Sequence, residues 1–220
     1  MHTSLPRMRP LIVLGMIALA ACQPTDKNQA PTGVVAKAMD EAAKGLGEAS
    51  QEMDKAREEI ATARDRLARE NISLNRNEKQ HLPKAEITPA GDLLIEGKAV
   101  ATTPEQKALV LAYRGELLGV VGDGMAIGME GARLGIDAAA SALKGVLAGQ
   151  DGDQIGKQVG EQAKAKIQPM VAQLCTRLPG LLSAQQALSA ALPEFAPYAT
   201  MDQADVDDCG DANGDGNWTF

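Results

Sequence analysis

Two groups of residues in this chain have the types and spacing to do chemistry, and they lie at opposite ends. Near the start, His2, Arg7 and Arg9 precede an apolar run from Leu11 to Ala21, which closes as Leu19-Ala20-Ala21-Cys22. A basic segment, a short apolar core and small residues before a cysteine form the pattern of an export signal of the lipobox type, in which the thiol of Cys22 receives acyl chains. The apolar run is eleven residues long, well short of the ~20 needed to span a bilayer, so it reads as a cleaved signal rather than a membrane anchor. At about 0.8 kcal/mol per buried methylene, several acyl chains hold a protein at a membrane almost permanently. The expected partner of the N-terminus is therefore a membrane. By likeness to sorted Gram-negative lipoproteins, Gln23 after the cysteine points to the outer membrane, with the protein facing the periplasm.

Near the other end, Asp211-Ala212-Asn213-Gly214-Asp215-Gly216 reproduces the opening of a calcium loop. Oxygen ligands alternate with small residues, and a glycine allows the sharp turn. Asp211, Asn213 and Asp215 are the candidate metal ligands. The bidentate Glu that an EF-hand loop places at its twelfth position falls beyond Phe220, and Asp205, Asp207 or Asp208 would have to complete the cage from the other side. Two readings stand: a weak calcium site and, preferred, a solvated acidic tail with no cofactor.

Cysteine usage fits an oxidising compartment. With Cys22 consumed by lipid, Cys175 and Cys209 remain as an even pair, expected to form a disulfide that pins the acidic tail to a helix. No Cys-x-x-Cys and no neighbouring His lowers a thiol pKa, so a redox role is not expected. Beyond residue 21 the chain keeps one histidine, His81, in a polar stretch without a cluster spaced for metal. There is no nucleophile elbow and no H-E-x-x-H, and Gly122-x-Gly124 opens no βαβ unit. The expectation is a protein that is not an enzyme.

Composition bounds the rest. The formal charge is −7, and removal of Arg7 and Arg9 with residues 1–21 takes it to −9, which argues against nucleic acid and anionic lipid headgroups as partners. Aromatics make up only 2% of the chain, too few for a β-sandwich core or a stacking-lined ligand pocket. Closely spaced helices are favoured instead.

The elements that must carry these groups follow from periodicity. Residues 22–32 are a polar, proline-containing tether behind the signal of residues 1–21. From Gly33, the residues Met39, Ala42, Leu46, Ala49, Met53, Ala56, Ile60, Ala63 and Leu67 alternate by three and four, a heptad seam in which alanines allow close helix approach. A second copy or the chain itself would satisfy that seam. Asn71 to Leu82 ends the helix.

Residues 84–102 change to a strand period around the turns Pro89-Ala90-Gly91 and Glu96-Gly97, a small β-meander. Thr103-Pro104-Glu105-Gln106 starts a second helix that reaches about Gly149. Its stripe of Gly124, Gly128, Gly131, Gly135, Ala138, Ala142, Gly145 and Gly149 has the spacing to complement the alanine seam, and so many glycines imply either close backbone packing or a break, placed at Gly122-Asp123-Gly124. A third helix from Ile155 to Leu178 is expected to kink at Pro169, and Ser183 to cap a short fourth. The chain after Pro197 reads as irregular, and residues 201–220 as an acidic tail. The predicted class is mainly α, with long antiparallel helices packed through Ala/Gly seams, a β-meander, and one domain over residues 33–200.

Ile87-Thr88-Pro89-Ala90-Gly91-Asp92, Gly97-Lys98 and Glu105-Gln106-Lys107, together with Leu174-Cys175-Thr176-Arg177-Leu178, resemble the YggN-like family of Gram-negative envelope proteins. The resemblance covers about a third of the chain and implies a periplasm-facing helical protein without known catalytic activity. The expected role is a structural or protein-binding module of the envelope, with an envelope protein or a second copy as partner. The alternative is a calcium-dependent module.

Overall fold

The computed structural model describes residues 33–74 and 82–209. The chain divides after Ala38, and the unit that follows, Met39–Phe220, holds the packed helices and the sheet.

Helix α1 runs Gly33–Arg69. Eight of the nine seam residues are withdrawn from solvent, Met53 to 8% exposure, while Ala42 and every other α1 residue from Met39 on are exposed. The alternation by three and four keeps one narrow stripe turned inward along the whole length, which is why periodicity alone located it. Of the eight, only Met53 is buried within the chain, and the other seven stay partly exposed.

Helix α2, Pro104–Leu147, begins as the sequence predicts. Thr103 Oγ1 accepts from Gln106 N at 3.2 Å and Gln106 Oε1 accepts from Thr103 N at 2.9 Å, a complete capping box with Pro104 at the first helical position. Of the two alternatives for the glycines, the break at Gly122-Asp123-Gly124 does not occur, and α2 is continuous there. Gly122 O accepts from Arg64 Nη2 at 2.8 Å and Asp123 Oδ2 from Arg177 Nε at 2.5 Å, so side chains from both neighbouring helices hold the segment.

The glycine stripe also departs from expectation. Gly124, Gly128, Gly131 and Gly135 are exposed, and a Cβ at any of them would meet nothing within 4 Å. Met125 and Met129 turn inward in their place, because burying a long apolar side chain stabilises more than the contact area a glycine supplies. Among the glycines of the stripe only Gly145 is a close-approach position, since its Cβ would lie 2.2 Å from Ile155 Cδ1.

Helix α2 ends with Gly149 at φ 68°, where Gln150 N donates to Gly145 O and Gly149 N to Val146 O, a Schellman turn. Asp151 caps α3, Gly152–Ala191, by accepting from Asp153 N at 2.8 Å. The third and fourth predicted helices are this one helix, which passes through Pro169, Pro179 and Ser183. Each interior proline costs about 3 kcal/mol. Leu174, Leu178, Leu181, Leu182 and Leu188 are all buried along one face, and at ~1.5–3 kcal/mol each their burial outweighs that cost.

The sheet is a four-stranded antiparallel meander in chain order: β1 Ile72–Ser73, β2 Ala85–Ile87, β3 Leu93–Ile95 and β4 Lys98–Ala99. β1 falls in the stretch read as polar connector, and it is recruited because Ile72 pairs with Ile87 and is buried. Gly91 cannot be replaced without strain, having φ 85° and a would-be Cβ 2.6 Å from Leu111 Cγ. The meander covers Val110, Tyr113 and Leu117 of α2 and Leu181, Leu188 and Leu192, with Phe195 and Tyr198 closing the core. Tyr113 and Phe195 meet edge to face at 5.1 Å. After Pro197 the described residues, to Cys209, are not irregular throughout: a 3-10 turn at Ala196–Tyr198 leads to α4, Gln203–Asp207. Among the described residues no helix is long and apolar enough to cross a membrane.

Candidate functional site

Of the residues singled out for chemistry, Cys22, His81, Asp211, Asn213 and Asp215 lie outside the described residues. Cys175 and Cys209 are joined, with sulfurs 2.09 Å and Cα atoms 5.6 Å apart, so the cysteine pairing read from the compartment is present. Two of the carboxylates considered for a calcium cage serve α4 itself. Asp205 Oδ2 accepts from Asp202 N at 2.8 Å as part of a capping box, and Asp207 Oδ1 accepts from Gln203 Nε2 at 2.9 Å. Among the described residues no three His, Cys, Asp or Glu side chains come together as a metal site.

The most concentrated polar site is one that the sequence reading passed over. Arg114 is 4% exposed on the apolar face of α2. Its guanidinium donates to Leu67 O at 2.7 Å, Ala68 O at 3.1 Å, Glu70 O at 2.8 Å and Ile87 O at 3.1 Å. It fills the place of a C-cap for α1, supplying donors and positive charge where the last carbonyls and the helix dipole need them. No carboxylate pairs with it among the described residues, and burial lowers its pKa. A lone charge at helical spacing within Val110, Tyr113 and Leu117 is the signal by which it was findable.

Two buried or half-buried amides act similarly. Gln185, 3% exposed, donates to Met201 O at 2.7 Å and accepts from Met201 N at 3.1 Å, so both backbone polar groups of Met201 are satisfied by one side chain. Gln106 adds to its capping role by donating from Nε2 to Ala191 O at 2.7 Å, the last residue of α3. Tyr198 Oη donates to Pro83 O at 2.8 Å. In the motif segment, Thr88 Oγ1 accepts from Asp92 N at 3.0 Å and donates to Asp92 Oδ2 at 3.1 Å, while Lys107 Nζ reaches Asp92 Oδ1 at 2.8 Å. The Lys107 and Thr88 bonds hold the Asp92 carboxyl below the usual aspartate range.

The sheet and the core it covers, from Val110 to Leu117 and Leu181 to Tyr198, form a head; away from it, α1, α2 and α3 line an open groove of about 350 Å³ with Ile60, Ala126, Met129 and Met170 in its floor. Arg57, Arg64 and Arg133 rim it. Arg133 is neutralised by Glu130 at 2.6 Å and Asp137 at 2.6 Å, with its pKa raised chiefly by the Glu130 bond. Arg57 pairs with Asp54 at 2.9 Å, whereas Arg64 is bonded to the Gly122 carbonyl.

No family model, no curated protein and no solved structure matches the chain. What the site can do is therefore read from its own geometry. The strongest polar groups are engaged with backbone, as braces of the head, while the helices carry open grooves, one of them with Met129 and Met170 among its lining.

Proposed function

We propose that the protein is an envelope lipoprotein, anchored through acyl chains on Cys22 and carried at the outer membrane facing the periplasm, that acts as a non-catalytic structural or protein-binding module. The resemblance of the meander segment to YggN-like envelope proteins supports the compartment, as does the Cys175–Cys209 disulfide.

The observation that carries the binding role is the groove floored by Met129 and Met170. Unbranched thioether side chains adapt to the shape of an incoming surface, and open methionine-lined grooves suit a protein segment better than a small molecule, which needs enclosure. Arg64 on the rim, without a carboxylate partner among the described residues, favours an acidic residue on that segment.

Photo-crosslinking amino acids at the exposed positions Ala61 and Ala132, in cells making the full chain, test the reading. The expected result is one dominant adduct with an envelope protein. Absence of any adduct from both positions refutes the binding role. Acylation is tested separately by the mass of the N-terminal peptide and by loss of membrane fractionation in Cys22→Ser.

A further inference from the structure

We propose that the turn between α2 and α3 is a membrane-contact point, with Val146 and Leu147 seated in the bilayer interface. The inference rests on the lipoprotein reading of Cys22 and extends it by naming the surface that meets the lipid.

Among the described residues only three large hydrophobic side chains are exposed, Leu111 at 42%, Val146 at 60% and Leu147 at 61%. Two of them are adjacent at the tip of the helical hairpin, followed by exposed Ala148 and Gly149. A single exposed apolar side chain is ordinary, but an adjacent pair on a projecting turn, in a chain that otherwise buries such residues, marks an interaction surface.

Register decides which surface that is. Arg64 Nη2 bonds to Gly122 O at 2.8 Å, and Arg57 and Ile60 share a groove with Met129 and Arg133, so α1 and α2 run antiparallel. Met39 lies 25 residues before Arg64, and Leu147 lies 25 residues after Gly122. At about 1.5 Å per residue, both positions are ~37 Å from that shared point, so they are level with each other. The chain thus enters this unit at the hairpin-tip end. Cys22 is 17 residues before Met39, which limits its reach to ~60 Å even if fully extended. The head, with its Arg114 brace, sits at the far end of α1. Arg69, at the head end of α1, lies 30 residues beyond Met39, ~45 Å further along the helix, so a lipid on Cys22 is nearer the tip than the head and favours contact by the tip, where an exposed Val-Leu pair lowers its free energy by leaving water. The acidic chain favours zwitterionic over anionic lipid.

The test uses the full acylated chain in zwitterionic phosphatidylcholine–phosphatidylethanolamine vesicles with brominated acyl chains. Val146→Trp, in a Trp218→Phe background, is compared with Ala108→Trp, an exposed position of the head. We expect a blue-shifted emission, quenched about twofold by bromolipid, at the tip only. Acylated, vesicle-bound protein whose tip emission is unquenched overturns this inference and leaves the lipoprotein reading standing. A blue shift without bromolipid quenching, the signature of tip-to-tip association, also overturns it. A peptide mass showing no acyl group on Cys22 overturns both. Val146→Ser/Leu147→Ser, which changes only exposed positions, is expected to keep its melting temperature and to lose the protection of the tip from aqueous proteolysis on vesicles.

Discussion

Arg114 Nη2 donates to Leu67 O at 2.7 Å, across 47 residues of chain. Through this bond and the neighbouring ones to Ala68, Glu70 and Ile87, one buried guanidinium joins the end of α1, the second strand and α2. A cation with no counter-charge is a costly group to bury. Here the α1 C-terminus supplies carbonyl lone pairs and the negative end of its dipole in place of a carboxylate.

Replacement of Arg114 by Ala leaves those carbonyls without their donor, and the expected loss is about 3 kcal/mol or more of unfolding free energy. Arg114→Lys keeps the charge but not the fork, and should lose about half as much. Urea denaturation followed by circular dichroism measures both. Equal stabilities of Arg114→Ala and the parent would contradict the brace.

Glycine positions on α2 should respond in opposite directions. Gly128→Ala and Gly131→Ala meet open space, so each is expected to stabilise by about 0.5–1 kcal/mol through helix propensity. Gly145→Ala drives a methyl into Ile155, a β-branched side chain only 8% exposed, and is expected to destabilise by about 1–3 kcal/mol. Thermal melts of the three variants, with Gly145→Ala/Ile155→Ala as the rescue, give the signs directly.

The Asp92–Lys107 pair should make the head acid-sensitive. The folded pKa of Asp92 is lowered from its ordinary 3.8, first by the Lys107 bond and then by Thr88. Stability from the pair is therefore present above the unfolded aspartate value and is lost as pH falls through the lower folded one. Melting temperatures recorded between about pH 5 and pH 2 should fall less steeply in Asp92→Asn than in the parent, and Lys107→Met should shift the parent's fall toward higher pH.

Reduction of the disulfide should loosen the C-terminal segment without releasing it. The bridge closes 34 residues of chain, worth about 3 to 4 kcal/mol in the chain-entropy account. Gln185 still holds Met201 through both its amide groups, so amide exchange at Met201 should stay slower than at Val206 in Cys175→Ser/Cys209→Ser. Exchange that is equally fast at both would show that the disulfide alone retains the segment.

Periodicity was enough for α1, because a stripe at three-four spacing has one inward face whatever it meets. Thr103 to Gln106 was enough for the start of α2, because a capping box is built from four consecutive residues. The meander turns were likewise legible in Pro89 to Gly91 and Glu96-Gly97, where backbone conformation dictates the residue type. The pairing of Cys175 with Cys209 was legible as the even pair left once Cys22 is set aside. Other features needed contacts between distant segments: whether Gly122 to Gly124 breaks a helix depends on Arg64 and Arg177, and whether Pro179 ends one depends on the leucines that α3 buries. The direction of the glycine stripe depended on Met125 and Met129 competing for the same interior. The role of Arg114 was decided only in three dimensions, since a charge on an apolar face has no local partner to reveal it. Sequence determined the elements whose stabilising interactions lie within a few residues, and tertiary structure decided those whose partners lie tens of residues away.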